Sequence, residues 1–173
     1  MGNYYANFAV RGAEQSKIVD ALRGARRRAL VAPTYNQITL VFERDSDRLI
    51  EAEIDLVGAL LSCHHPVLAA AVADDDELWL GLYQQGARTV NYSSRGERAG
   101  TLQICRAFGR WHVIPLVWIV LQFPYVVFES LRHAALAQLL GIPNWCVATG
   151  YRYIVDNEEL PPGLSAEDLT STD

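Results

Sequence analysis

Apolar and polar positions along the chain follow two rhythms. Residues 4 to 11, YYANFAVR, set Ala6, Phe8 and Val10 on one face against Tyr5, Asn7 and Ala9 on the other, which predicts a half-buried strand ended by Arg11-Gly12. From Ala13 to Arg27 the rhythm changes: Ile18, Ala21, Leu22 and Ala25 recur at helical steps, with Glu14, Gln15, Lys17 and Asp20 elsewhere on the wheel. RALVAP then reads as a short strand stopped by Pro33, and QITLVFE as another with Ile38, Leu40 and Phe42 on one side. Asp45 or Ser46 can cap a second helix in which Ile50, Ile54, Val57 and Leu61 repeat up to Cys63. VLAAAVA, beginning at Val67, is a continuous apolar run that suits a strand covered on both faces.

The order strand, helix, strand, strand, helix, strand predicts a ferredoxin-like βαββαβ sandwich. LWLGLY and ARTVNY, separated by Gln84-Gln85-Gly86, predict a β-hairpin that extends its sheet. After the loop SSRGERAG, a helix is expected from Thr101 through Leu102, Cys105 and Phe108, opening a C-terminal helical section. The expected class is therefore α+β in a single domain over residues 1–164, with a sheet part at 1–93 and a helical part at 100–154.

WHVIPLVWIVLQFPYVVF, residues 111 to 128, contains no acid, Lys or Arg. A membrane helix needs about 20 consecutive apolar residues, and this stretch is interrupted by Pro115 and Pro124 and followed by the amphipathic ESLRHAALAQLLG with its glycine cap. Two helices joined near Phe123-Pro124 are the expected result. They form either core or a partner-covered face, including a contact between copies of the chain. A membrane crossing is not expected.

Composition adds compartment and charge. Of the 173 residues, 50% are apolar and 20% charged, the balance of a globular domain. Asp156, Glu158, Glu159, Glu167, Asp168 and Asp173 lie in a segment without Lys or Arg and account for more than the whole formal charge of −5. The body is near neutral, and residues 165–173 are expected as a mobile acidic tail. Cys63, Cys105 and Cys146 form no C-x-x-C pair, the start has no secretory pattern, and Ala6 stands where myristoylation wants Ser or Thr. These features predict a cytoplasmic protein with reduced thiols. Arg23, Arg26, Arg27 and Arg28 suit a helix C-terminus, and without a broader basic face no nucleic-acid partner is expected.

Candidate chemistry is sparse. Asp74, Asp75 and Asp76 could hold a hard cation, but adjacent residues rarely converge on one ion, and a solvated turn is the plainer reading. Glu129 stands one helical turn from Arg132 and His133, so it could orient a general base or form a helix surface pair. His64-His65 lacks metal-site spacing, and neither a metal nor a cofactor is expected. Trp145, Tyr151, Arg152 and Tyr153 crowd into one short segment, the residue types that dominate binding surfaces.

NYYANFAVRG at 3 to 12, DDDELWLGLYQQG at 74 to 86, FESLRHAALAQLLGIPNWCVATGYRYI at 128 to 154 and ELPPGL at 159 to 164 resemble a family of small uncharacterised bacterial proteins. The resemblance implies one domain and carries no assigned activity, ligand or catalytic role. This chain departs from the family in its apolar VIPLVWIVLQF, where a more polar segment is usual. The expected function is a non-catalytic, regulatory or immunity-type module that binds another protein through Trp111, Trp118, Phe123, Trp145, Tyr151, Arg152 and Tyr153. The competing expectation is a small enzyme or ligand-binding protein with a pocket around Glu129, His133, Tyr151 and Asp74 to Asp76.

Overall fold

Strand β1 (Tyr5–Arg11) lies at the middle of the sheet in the computed structural model, which describes residues 2–123, 126–157 and 160–173. It is flanked by β3 (Ile38–Glu43) and β4 (Val67–Ala73). Beyond β3 come β2 (Ala29–Val31) and β7 (Thr170–Ser171), and beyond β4 come β5 (Glu77–Gln84) and β6 (Ala87–Ser93). The order is β6-β5-β4-β1-β3-β2-β7, with antiparallel pairing throughout. The predicted hairpin joins β5 to β6 through Gln85 and Gly86, both at positive φ, as a tight two-residue connection requires.

Helices cover both faces of this mixed α+β fold. Ala6, Phe8 and Val10 meet α1 (Gln15–Gly24) and α2 (Glu51–Leu61) through Ile18, Leu22, Ile54 and Val57. Tyr5 and Ala9 point into a second core built with α3 (Thr101–Ala107), α4 (Ile114–Gln122), α5 (Glu129–Leu140) and α6 (Tyr151–Asn157). Strand β1 is therefore buried on both sides, not on one as its alternation predicted. Asn7, which reads as a solvent-facing position, is buried because its amide donates to the Cys146 and Thr149 carbonyls at 2.6 and 3.0 Å. Cys105 and Cys146 are buried in this second core, where burial pushes both thiols up, Cys146 to about 12; Cys63 is exposed.

Two further expectations change. Ser46 does not cap α2: its amide and hydroxyl both donate to the buried Glu43 carboxylate at 2.7 Å, a 3-10 turn follows, and Leu49 turns left-handed before α2 begins. Pro115 does not divide a helix, since it stands in the first turn of α4, where its missing N–H costs nothing. Pro124 lies outside the described residues, as do Glu158 and Glu159.

Residues 165–173, expected as a mobile tail, are laid along the sheet. Ser165 and Asp168 cap each other's turn, β7 pairs with β2, and the Thr172 hydroxyl accepts from the Ala29 amide at 2.8 Å and donates to the Arg27 carbonyl at 2.6 Å. The basic cluster supplies the other half of these ties. Arg28 pairs with Asp173, Arg23 donates to the Ser171 carbonyl, and Arg27 bridges Glu43 and Glu53.

Candidate interaction surface

Helix α4 is apolar all round except at its last residue, Gln122, so it has almost no polar side to give to water. Its inner side chains, Val117 and Leu121, are fully buried in the core. Its outer side chains, Leu116, Trp118 and Ile119, are each more than half exposed, and the apolar surface continues through Phe123, Val127, Phe128 and Leu131. Between α4 and α5 runs a groove of about 310 Å³ whose walls are apolar, with Ile119, Phe123, Leu131 and Ala135 among them, and whose lining also includes the paired Arg132. Trp111 is 73% exposed and lines a separate cleft with Arg106. Among the described residues of the segment 111–128, Val117 and Leu121 thus belong to the core and most of the others lie at the surface. No helix among the described residues is long and apolar enough to cross a membrane.

Arg132 fixes how α4 meets α5. Only 2% exposed, it donates from Nε to Glu129 Oε2 at 2.7 Å and from its terminal nitrogens to the carbonyls of Val120, Leu121 and Phe123 at 2.6, 3.1 and 2.7 Å. Val120 and Leu121 stand in the last turn of α4 and Phe123 directly follows it, so one guanidinium donates to three carbonyls at this helix end. Tyr92 of β6 adds a hydroxyl to the Leu121 carbonyl at 2.8 Å.

Glu129 therefore serves Arg132, and the expected Glu129 to His133 partnership is replaced by another. His133 is 3% exposed, and its Nδ1 lies 2.8 Å from the Tyr5 hydroxyl, with the two rings stacked at 5.7 Å. Burial holds the His133 ring neutral, with its pKa down to about 4, and pushes the Tyr5 phenol up. The Tyr5 hydroxyl and Nδ1 share one hydrogen, and the direction in which it is donated follows the imidazole tautomer.

The three aspartates diverge. Asp74 accepts from the Gly2 amide, Asp76 pairs with Arg95, and Asp75, with the first two at positive φ, turns inward. Its carboxylate accepts from Asn3 at 3.1 and 2.7 Å and from the Ser130 amide at 3.2 Å, while its carbonyl accepts from the Glu129 amide. Partial burial opposes the charge, but the Ser130 and Asn3 donors outweigh it and hold the carboxyl below its usual range. Asp75 therefore caps α5 and ties it to the β4–β5 turn. Among the described residues no group of three His, Cys, Asp or Glu side chains could hold a metal ion.

The C-terminal aromatic segment lies elsewhere. Trp145 is half-buried against the core with its ring 5.9 Å from Tyr35. Arg152 donates to buried Asp47 from its amide at 2.9 Å and from Nε at 3.2 Å, and its guanidinium lies 5.9 Å from the Tyr4 ring. These residues line an open cleft of about 380 Å³ with Tyr153 and Asp156. Tyr151 is half-buried, where burial raises its phenol, with Asp173 adding to the effect and Arg44 opposing it. The structure thus exposes Trp118 on α4, sets Phe123 in the groove between α4 and α5, and leaves Trp145, Tyr151, Arg152 and Tyr153 around α6. Leu116, Ile119, Val127, Phe128 and Leu131 were not among the expected contact residues, although the uncharged run contained the signal for the first four. Asp47, whose carboxylate also accepts from the Ala6 amide, had no sequence signal at all.

A further cleft of about 220 Å³ lies beside α2, between Leu49, Ile54, Ala71 and Trp79, with Glu51 and Glu77 at its margin. Neither His133 nor Glu129 lines any of these clefts. The chain matches no family model, and no match to it is found among curated proteins or solved structures.

Proposed function

We propose that the protein is a non-catalytic, cytoplasmic interaction module that binds a partner protein on the apolar face of α4 and the start of α5. The observation that carries this reading is the contiguous exposure of Leu116, Trp118, Ile119, Val127, Phe128 and Leu131. A charge-free apolar patch of this extent is the usual mark of a contact surface, since water gains nothing from it. The strand order β4-β1-β3-β2, with α1 and α2 on one face, supports a ferredoxin-like βαββαβ core as the scaffold. A regulatory or immunity-type role suits such a face, because its action is complete once the partner's surface is occupied. The competing pocket of an enzyme gains nothing from Glu129 and His133, which are engaged by Arg132 and Tyr5.

A photo-crosslinking residue at Ile119 tests this in the native cell, with the same residue at exposed Asp20 on α1 as control. Protein adducts are expected from position 119 and not from position 20. Absence of any adduct at 119, or an identical pattern at both positions, refutes the proposed face.

A further inference from the structure

We infer that the partner on this face is a second copy of the chain, forming a symmetric dimer through α4 and the start of α5. The inference rests on the preceding reading of the face as a contact surface. A twofold contact must be complementary to itself, and this surface carries both halves of such a fit. Leu116, Ile119 and Phe123 follow one another along α4 as a ridge, and the 310 Å³ groove between α4 and α5 runs beside it. A twofold axis near Ile119 sets each ridge into the other copy's groove.

Area and charge agree with this occupant. At about 150–250 Å² for a whole aromatic side chain and less for an aliphatic one, the exposed fractions from Leu116 to Leu131 amount to roughly 800 Å². That matches the ~800 Å² per partner of a standard stable interface. No acid, Lys or Arg occurs between Trp111 and Phe128, while Glu129 and Arg132 are buried and paired, so superposing the face on itself brings no like charges together. The terminal acid Asp173 is remote. Helix α4 is bonded to β6 through Tyr92, whereas Asp173 lies beside β7, six strand positions away. At ~4.8 Å per strand that is roughly 30 Å, several times the ~8 Å screening length of physiological salt.

Sedimentation velocity of the purified full chain over micromolar concentrations is expected to give twice the 19.3 kDa chain mass. Ile119→Lys and, independently, Val127→Lys should each weaken dimerisation at least about tenfold with unchanged far-ultraviolet circular dichroism, because a desolvated charge then meets its own copy. A monomer at every concentration, or a dimer indifferent to both substitutions, overturns the inference. Binding of a monomer to phosphatidylcholine vesicles through the same residues also overturns it, in favour of lipid. If the chain is monomeric and the Ile119 crosslinker captures a different protein, the dimer falls and the interaction module stands. If there is neither dimer nor adduct, both fall.

Discussion

Arg132→Ala is expected to destabilise the fold by about 3–5 kcal/mol, the usual consequence of removing one member of a buried ion pair. The loss has two parts. Glu129, 6% exposed, keeps its place without the Arg132 guanidinium, and the carbonyls of Val120, Leu121 and Phe123 lose its donors. Arg132→Lys should recover little, since an ammonium cannot present the guanidinium's planar fork to a carboxylate and three carbonyls together. Urea unfolding of the double-mutant cycle with Glu129→Ala separates the parts. The pair should couple by at least about 1 kcal/mol, and the double variant should be less destabilised than the sum of the singles. Additive losses, or a change below about 1 kcal/mol for Arg132→Ala, would mean that the guanidinium does not organise this junction.

Stability should also fall as pH drops from about 6.5 to about 4, by roughly 3 kcal/mol from one side chain. The folded-state pKa of His133 lies below its unfolded value of 6.5, so the native state binds fewer protons than the unfolded chain through this interval. The contribution is complete above pH 6.5 and is lost on the way down to about 4. Protonation must charge a ring with almost no water around it, and burial is what holds that ring neutral. Asp75 acts in the same direction at lower pH: its depressed carboxyl stabilises the fold above the ordinary carboxylate range and loses that effect as pH falls through its folded pKa. His133→Gln, which keeps a polar group near Tyr5 but does not titrate, isolates the histidine. Its unfolding free energy should change between pH 7 and pH 4.5 by less than half the wild-type amount. An unchanged slope would transfer the effect to other groups.

The strands and most helices were legible because each carries its own local rhythm. VLAAAVA is apolar at every position and is buried at nearly every position, as a strand between two helical layers must be. What could not be read depends on residues far apart in the chain. The inward face of β1 is closed by Asn7, whose acceptors lie 139 and 142 residues away, and no window around Asn7 contains them. The two-residue β7 is too short to carry any periodicity, and its place comes from Thr172 and Asp173 meeting the start of β2 at Ala29 and Arg28. Pro115 read as an interruption because its helical position was unknown, and at the first turn the same residue favours the helix. For the candidate surface, the missing charges between Trp111 and Phe128 were plain, but an all-apolar helix does not announce which side the core will take. The core took Val117 and Leu121, and the side bearing Trp118 and Ile119 was left outside.

The three cysteines give this molecule a built-in reporter of breathing. A sulfhydryl reagent at neutral pH should modify Cys63 within minutes, while Cys105 and Cys146 stay protonated and out of reach beneath the helical layer. Alkylation of those two then proceeds only when that layer lifts from the sheet, so a slow mass increment counted by mass spectrometry reports the opening rate at reagent concentrations high enough that the rate no longer depends on them, and the opening equilibrium below that. Equal modification of all three within minutes would show that the layer does not hold.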